Sequence, residues 1–211
     1  VDPVTDNIWI FFGAALVISL SGVMMPGPVF AATVARGYRD EKAGLKIALG
    51  HGMVEFPLMA LMVLSIGSLF KSPEVTLGIG LVGGALLAVM GVMMIRARKE
   101  MGVEGRDALP KSTVVTGVLT TAVNPYFYLW WATVGALLIF TAQEFGAIVV
   151  VAFAAVHWSC DLAWYWFTSF AVFRTRHMWT PAVHEIVFII CGALMVGFGV
   201  MFIARPTLDL L

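Results

Sequence analysis

Six apolar stretches, at about 8–36, 43–70, 75–95, 113–141, 146–172 and 184–204, take up most of a chain of 211 residues. A hydrocarbon core about 30 Å thick is crossed by roughly 20 apolar residues in helical form. The stretches at 75–95, 146–172 and 184–204 meet that length, while those at 8–36 and 113–141 exceed it and are interrupted by proline. Ten-residue alternating segments are lacking, so a transmembrane β-barrel is excluded. Charged residues make up only 12% of the chain, against about a quarter in a soluble domain, and the mean hydropathy is +0.93. A water-facing surface would lack the charges it needs. This excludes a soluble enzyme, a disordered scaffold and a nucleic-acid binder. The expected fold class is an all-α membrane protein of six transmembrane helices, a single transmembrane domain over 1–211 with no room for an extramembrane domain. Asp2 and Asp6, rather than basic residues, precede the first stretch, which also lacks a small-residue cleavage site. It reads as a helix and not as a signal peptide.

Basic residues orient the helices. Arg36, Arg39, Lys42 and Lys46 separate the first two stretches. Arg96, Arg98, Lys99, Arg106 and Lys111 separate the third and fourth, and Arg174 and Arg176 the last two. Eleven of the thirteen basic residues thus fall on one side, leaving Lys71 and Arg205 on the other. The expectation is a multi-pass protein of the cell membrane with cytoplasmic basic loops and both termini outside.

The halves, about 1–98 and 110–211, resemble each other. Stretch 1 contains Ser21-Gly22-Val23-Met24-Met25-Pro26-Gly27-Pro28, and stretch 4 contains Thr116-Gly117-Val118-Leu119 and then Asn124-Pro125. Stretch 2 carries His51-x-x-x-Glu55, and stretch 5 carries His157-x-x-x-Asp161. Three helices per half oblige the halves to enter the membrane in opposite senses. An inverted 3+3 repeat with broken helices 1 and 4 is a recurring plan of secondary transporters, with substrate held at the repeat interface. The spacings are unequal, 23 residues from Pro28 to His51 and 32 from Pro125 to His157.

Glu55 and Asp161 lie deep in apolar stretches with no lysine or arginine at similar depth. Each costs about 2.5–3.5 kcal/mol on insertion scales, so a partner is required. His51 and His157, each four residues earlier, share a helix face with them. Such a face can hold a proton, a cation or a substrate ammonium. Desolvation favours the protonated carboxyl and a bound cation the ionised one, which is the competition a proton-coupled antiporter uses. The bland reading is a hydrogen-bonded pair that fastens helix 2 to helix 5.

Pro26-Gly27-Pro28 removes two backbone donors, so a helix cannot run through it unperturbed. A helix restarting after Pro28 would present its amides to a carboxylate. Asn124-Pro125 offers a second break, although a proline kink can serve packing alone. Tyr126, Tyr128, Trp130 and Trp131 follow that break, and Trp158, Trp164, Tyr165 and Trp166 surround Asp161. Their ring faces can contact a cation, but such residues more often pack as core. Gly80, Gly84 and Ala88 form a small-residue ladder that suits close packing within the chain or a homodimer. Cys160 and Cys191 are isolated and define neither a disulfide framework nor a thiol-exchange centre.

Ser-Gly-Val-Met-Met-Pro-Gly-Pro, the Arg-Gly-Tyr-Arg-Asp-Glu-Lys-Ala-Gly turn from Arg36, and Val-Asn-Pro-Tyr from Val123 together resemble the lysine-exporter (LysE/RhtB-type) translocators. The likeness covers nearly the whole chain. It implies ion-gradient-driven export of amino acids or related small solutes. It makes Pro26, Gly27, Pro28, Asn124 and Pro125 the conformationally important positions. Many amino-acid exporters of this type carry a polar residue where Val29 stands. The wider superfamily is similar in plan to several divalent-cation exporters. The function expected is proton-coupled export of a small cytoplasmic solute, most simply an amino acid, with Glu55, Asp161, His51, His157 and Asn124 as binding residues. No cofactor or resident metal is expected, and the partners are solute, protons and the lipid bilayer. The alternative is a divalent-metal exporter whose ligands are His51, Glu55, His157 and Asp161. An intramembrane enzyme is disfavoured, since no nucleophile motif accompanies the histidines.

Overall fold

The computed structural model describes residues 7–64, 110–178 and 180–208, with scattered positions between 81 and 96. Every regular element among these residues is helical. Helix α1 (Ile8–Val23) gives way to α2 (Pro28–Gly37), and α3 follows as Ala43–Leu64. Helices α4 (Thr113–Ala122) and α5 (Pro125–Trp130) lead through a π-helical turn, Trp131–Gly135, into α6 (Ala136–Glu144). The long α7 (Ala147–Thr175) and α8 (Pro181–Leu208) complete the order.

Two of the expected spans, α3 and Ala147–Met178, are single helices long and apolar enough to cross a membrane. Two others are bent pairs: α1 with α2 turns by 73°, and Thr113–Ala122 with Tyr126–Glu144 by 60°. Both breaks fall at the expected prolines. Each restart has the same construction, a cap residue in extended backbone followed by proline at the first helical position, Gly27-Pro28 and Asn124-Pro125. Proline fits there because the first amides of a helix have no partner inside it. The apolar stretch of α8, Glu185–Met201, is shorter than a span. Most of the third expected span, including Gly80, lies outside the described residues, as does the Cys191 side chain. Gly84 and Ala88 are described, and they pack against Gly199 of α8, so this part of the small-residue ladder is used within the chain.

Helix α3 is the centre of the packing, and it touches its neighbours backbone to backbone. A Cβ on Gly50 would collide with the Val114 carbonyl and Val118 amide of α4, and one on Gly117 would strike the Ile47 backbone. Gly44 lies as close to Tyr165 of α7, and its amide donates to Ser169 Oγ at 2.9 Å. Between α6 and α7 the chain reverses at Gly146, whose φ of 108° is the left-handed region that suits glycine.

The basic segments at 36–46 and 174–176 meet at one end of the bundle. Arg36 donates to the Pro110 carbonyl and to Thr116 Oγ1, Tyr38 donates to the Arg176 carbonyl at 3.3 Å, and Arg174 meets Glu41 at 3.7 Å. In the same region Lys46 donates to Asp40 at 2.7 Å, and this hydrogen bond holds the Asp40 carboxyl below the usual carboxylate range.

Candidate functional site

Four ionisable side chains from α3 and α7 meet at the centre of the described bundle. Their spacing of four residues puts His51 and Glu55 on one face of α3, and His157 and Asp161 on one face of α7. Close packing of the two helices then turns these faces toward each other. Glu55 Oε1 receives His51 Nε2 at 3.1 Å and His157 Nε2 at 3.1 Å. Asp161 lies 3.4 Å from His51 Nε2 and 3.6 Å from His157 Nε2. Both carboxylates are 1% exposed, so no bulk water compensates them.

The outer nitrogens of the imidazoles are held from the broken helices. His51 Nδ1 pairs with Thr121 Oγ1 of α4 at 2.8 Å, and His157 Nδ1 pairs with Ser19 Oγ of α1 at 2.8 Å. Most helical hydroxyls in the chain donate back one turn, as Thr33 does to Val29, Thr133 to Leu129 and Ser159 to Ala155. Among the described residues Ser19 and Thr121 make no such bond, which leaves their O–H groups for the imidazoles. Each ring then accepts at Nδ1 and donates from Nε2 to Glu55. The result is one hydrogen-bonded chain, Ser19–His157–Glu55–His51–Thr121, linking both broken helices through a single carboxylate.

Aromatic rings wall this cluster. Trp131 Nε1 donates to Glu55 Oε1 at 3.3 Å, and the Trp130 ring stacks on His157 at 4.9 Å. Gly22 makes room for that ring, because a Cβ there would lie 2.5 Å from Trp130 Nε1. Phe127 and Tyr165 meet His51 edge-on at 5.4 and 5.7 Å. The expectation that the aromatics pack mostly as core holds for Trp130, Trp131 and Tyr165, which are buried in the apolar core and line a cavity as well. Tyr126, Trp130, Trp131 and Tyr165 line a cavity, whereas Tyr128 and Trp166 are exposed. The Trp158 indole donates to the Ala48 carbonyl.

The cavity offers about 50 Å³ of room for water-sized molecules, enough for a few waters at roughly 10–15 Å³ each. All four ionisable residues line it, and so do Gly27 and Asn124 from the two breaks. These caps face each other, since a Cβ on Gly27 would sit 3.9 Å from Asn124 Nδ2. They differ in one respect. Asn124 Oδ1 accepts from the Tyr126 amide at 3.1 Å and so caps α5, but Gly27 gives α2 no side-chain cap. The first intrahelical bond of α2 is Ala31 N–H to the Gly27 carbonyl, so the amides of Val29 and Phe30, both lining residues, precede it. Pro26 falls within the first break, and Pro28 and Pro125 open the restarting helices; their part is to end one helix and begin the next.

Buried polar atoms without a partner among the described residues include Glu55 Oε2 and Asp161 Oδ2. Cys160 is a free thiol that donates to the Val156 carbonyl. Sequence reasoning did not single out Ser19 or Thr121, which offer no motif, and it grouped Trp131 with the other aromatics.

Comparison with curated proteins and with solved structures returns no match. The model of one protein family, the LysE type translocators, matches residues 20–205 and so includes both breaks and both His–carboxylate pairs. The chain therefore belongs to the LysE type translocator family, a family of membrane transporters.

Proposed function

We propose that the chain exports a small cytoplasmic solute, most simply an amino acid, in exchange for protons. One observation carries this reading: both helix breaks and both buried His–carboxylate pairs line the same cavity. The uncapped first turn of α2 offers two amides and the positive end of a helix dipole to a substrate carboxylate. Across the cavity Glu55 and Asp161 receive its ammonium. When the ammonium leaves, protons replace it, reaching Glu55 and Asp161 from the cavity that both line, while His51 and His157 hold Glu55 in place.

The cavity has room for only a few waters, so seating a solute calls for movement of the surrounding helices. The two bends of 73° and 60° supply the joints. The reading includes six spans, an inverted repeat with halves at about 1–98 and 110–211, and rocking of one half against the other. The shared cap-and-proline construction of the restarts and the crossed hydroxyl–imidazole bonds support it. The basic end of the bundle would face the cytoplasm and both termini the outside.

The test is a thermal-stability panel on purified protein, run in chelator, with basic and neutral amino acids. A ligand at 100 times its Kd that binds only the folded state adds about 2.7 kcal/mol. An amino-acid shift that disappears in Asp161→Asn supports the reading, and a panel with no shift for wild type contradicts it.

A further inference from the structure

The acidic wall of the cavity has a donor set more specific than an ammonium group requires. His51, Glu55 and Asp161 present ligand atoms that all lie within 4.8 Å of one another. His157 Nε2 adds contacts of 3.1 Å to Glu55 and 3.6 Å to Asp161. His51 Nε2 stands 3.1 Å from Glu55 Oε1 and 3.4 Å from Asp161 Oδ1, close to the tetrahedral edge of about 3.3 Å set by metal–ligand bonds of about 2.0–2.1 Å, whereas His157 faces the other Asp161 oxygen and lies outside that set.

Two further features point the same way. His51 is held at Nδ1 by Thr121, so that Nε2 is aimed at the acids; with a metal on Nε2 the ring proton would sit on Nδ1 and be donated to Thr121 Oγ1, which is how a metal-binding histidine is oriented by its surroundings. Glu55 Oε2 and Asp161 Oδ2 are buried with no hydrogen-bond donor, although both residues line the cavity. An imidazole nitrogen with two carboxylate oxygens suits zinc and its first-row neighbours, whereas magnesium and calcium favour shells of oxygen alone. A doubly charged ion also balances two buried carboxylates while both imidazoles stay neutral.

We propose that His51, Glu55 and Asp161 bind one first-row divalent transition-metal ion, its fourth position open to the cavity and His157 holding Glu55 in place, where the proposed function puts the solute's ammonium. The inference rests on that reading only in sharing the site. Ion and solute exclude each other there, so the metal inhibits export.

Untagged protein stripped with chelator is titrated with Co²⁺. The expected result is the intense visible spectrum of four-coordinate Co(II), saturating at one ion per chain and abolished by Zn²⁺. Asp161→Asn and Glu55→Gln, which keep side-chain size, remove it. Thr121→Val, which frees the His51 imidazole, weakens binding roughly 10- to 100-fold. His177→Ala, at an exposed histidine outside the cavity, leaves the spectrum intact. A wild-type protein without the spectrum overturns the site, and so does a spectrum that survives both carboxylate variants or is lost in His177→Ala. The wild-type titration decides even if a variant fails to fold. The amino-acid panel is run in chelator and this titration without amino acid. A solute shift without Co²⁺ binding therefore removes this inference alone, and Co²⁺ binding without a solute shift removes the amino acid and keeps the metal site.

Discussion

His157 on α7 lies 3.1 Å from Glu55 on α3, closer than the 3.6 Å that separates it from Asp161 on its own helix. The carboxylate of one helix is thus bonded to the histidine of the other. Glu55→Ala would strand two buried imidazole donors and an indole, while Glu55→Gln keeps an acceptor oxygen. Leaving a buried donor unsatisfied costs about 1–3 kcal/mol. Glu55→Ala should therefore melt well below Glu55→Gln in detergent, and equal melting temperatures would argue against the crossed pairing.

The two hydroxyls should behave as ends of one network. Ser19→Ala and Thr121→Val each remove one bond to a buried imidazole, at an expected cost of about 1–3 kcal/mol. Because both bonds act on Glu55 through a histidine, the double variant should depart from additivity by at least about 0.5 kcal/mol. Denaturant unfolding of the four proteins measures that difference, and strict additivity would mean that the arms are independent.

The breaks and the faces of the site were legible in the sequence because both are local. Proline ends a helix wherever it stands, and four residues bring His51 under Glu55 and His157 under Asp161 whatever surrounds them. What joins the faces was not legible. The preference of His157 for Glu55 depends on how closely α3 approaches α7, and that depends on Gly44 lying against the Tyr165 backbone. Ser19 and Thr121 resemble the many helical hydroxyls that bond their own backbone, and only the tertiary position of the imidazoles sets them apart. Likewise, the π-helical turn at Trp131–Gly135, which begins at the residue bonded to Glu55, has no sequence signature.

Glycine substitutions separate close packing from mere helix content. Gly50→Ala and Gly117→Ala would push a methyl group into neighbouring backbone, and overpacking of that kind costs about 1–3 kcal/mol or more. At Gly13 nothing lies within 4 Å of an added Cβ, so Gly13→Ala should be neutral or stabilise by about 0.5–1 kcal/mol. Thermal unfolding in detergent should rank them in that order, and a harmless Gly50→Ala would place α3 and α4 farther apart than described.

Asn124 has a cap to lose that Gly27 lacks. Asn124→Ala removes the acceptor for the Tyr126 amide and should destabilise the protein by about 0.5–2 kcal/mol. Asn124→Asp keeps the cap and should restore most of that loss. Gly27→Ala should fold normally, since its methyl group would meet only the Asn124 amide at 3.9 Å. Melting curves of the three variants check the asymmetry, and an undisturbed Asn124→Ala would deny the cap.

The central claim is that the buried carboxylates in the cavity between the breaks couple solute to protons. Metal-free proteoliposomes loaded with an amino acid that stabilises the protein, and placed in a pH gradient, test it most directly. Wild-type protein should accelerate efflux and dissipate the gradient as the solute leaves. Glu55→Gln, inserted as folded protein in equal amount, should do neither. Undiminished gradient-driven efflux through Glu55→Gln would contradict the account.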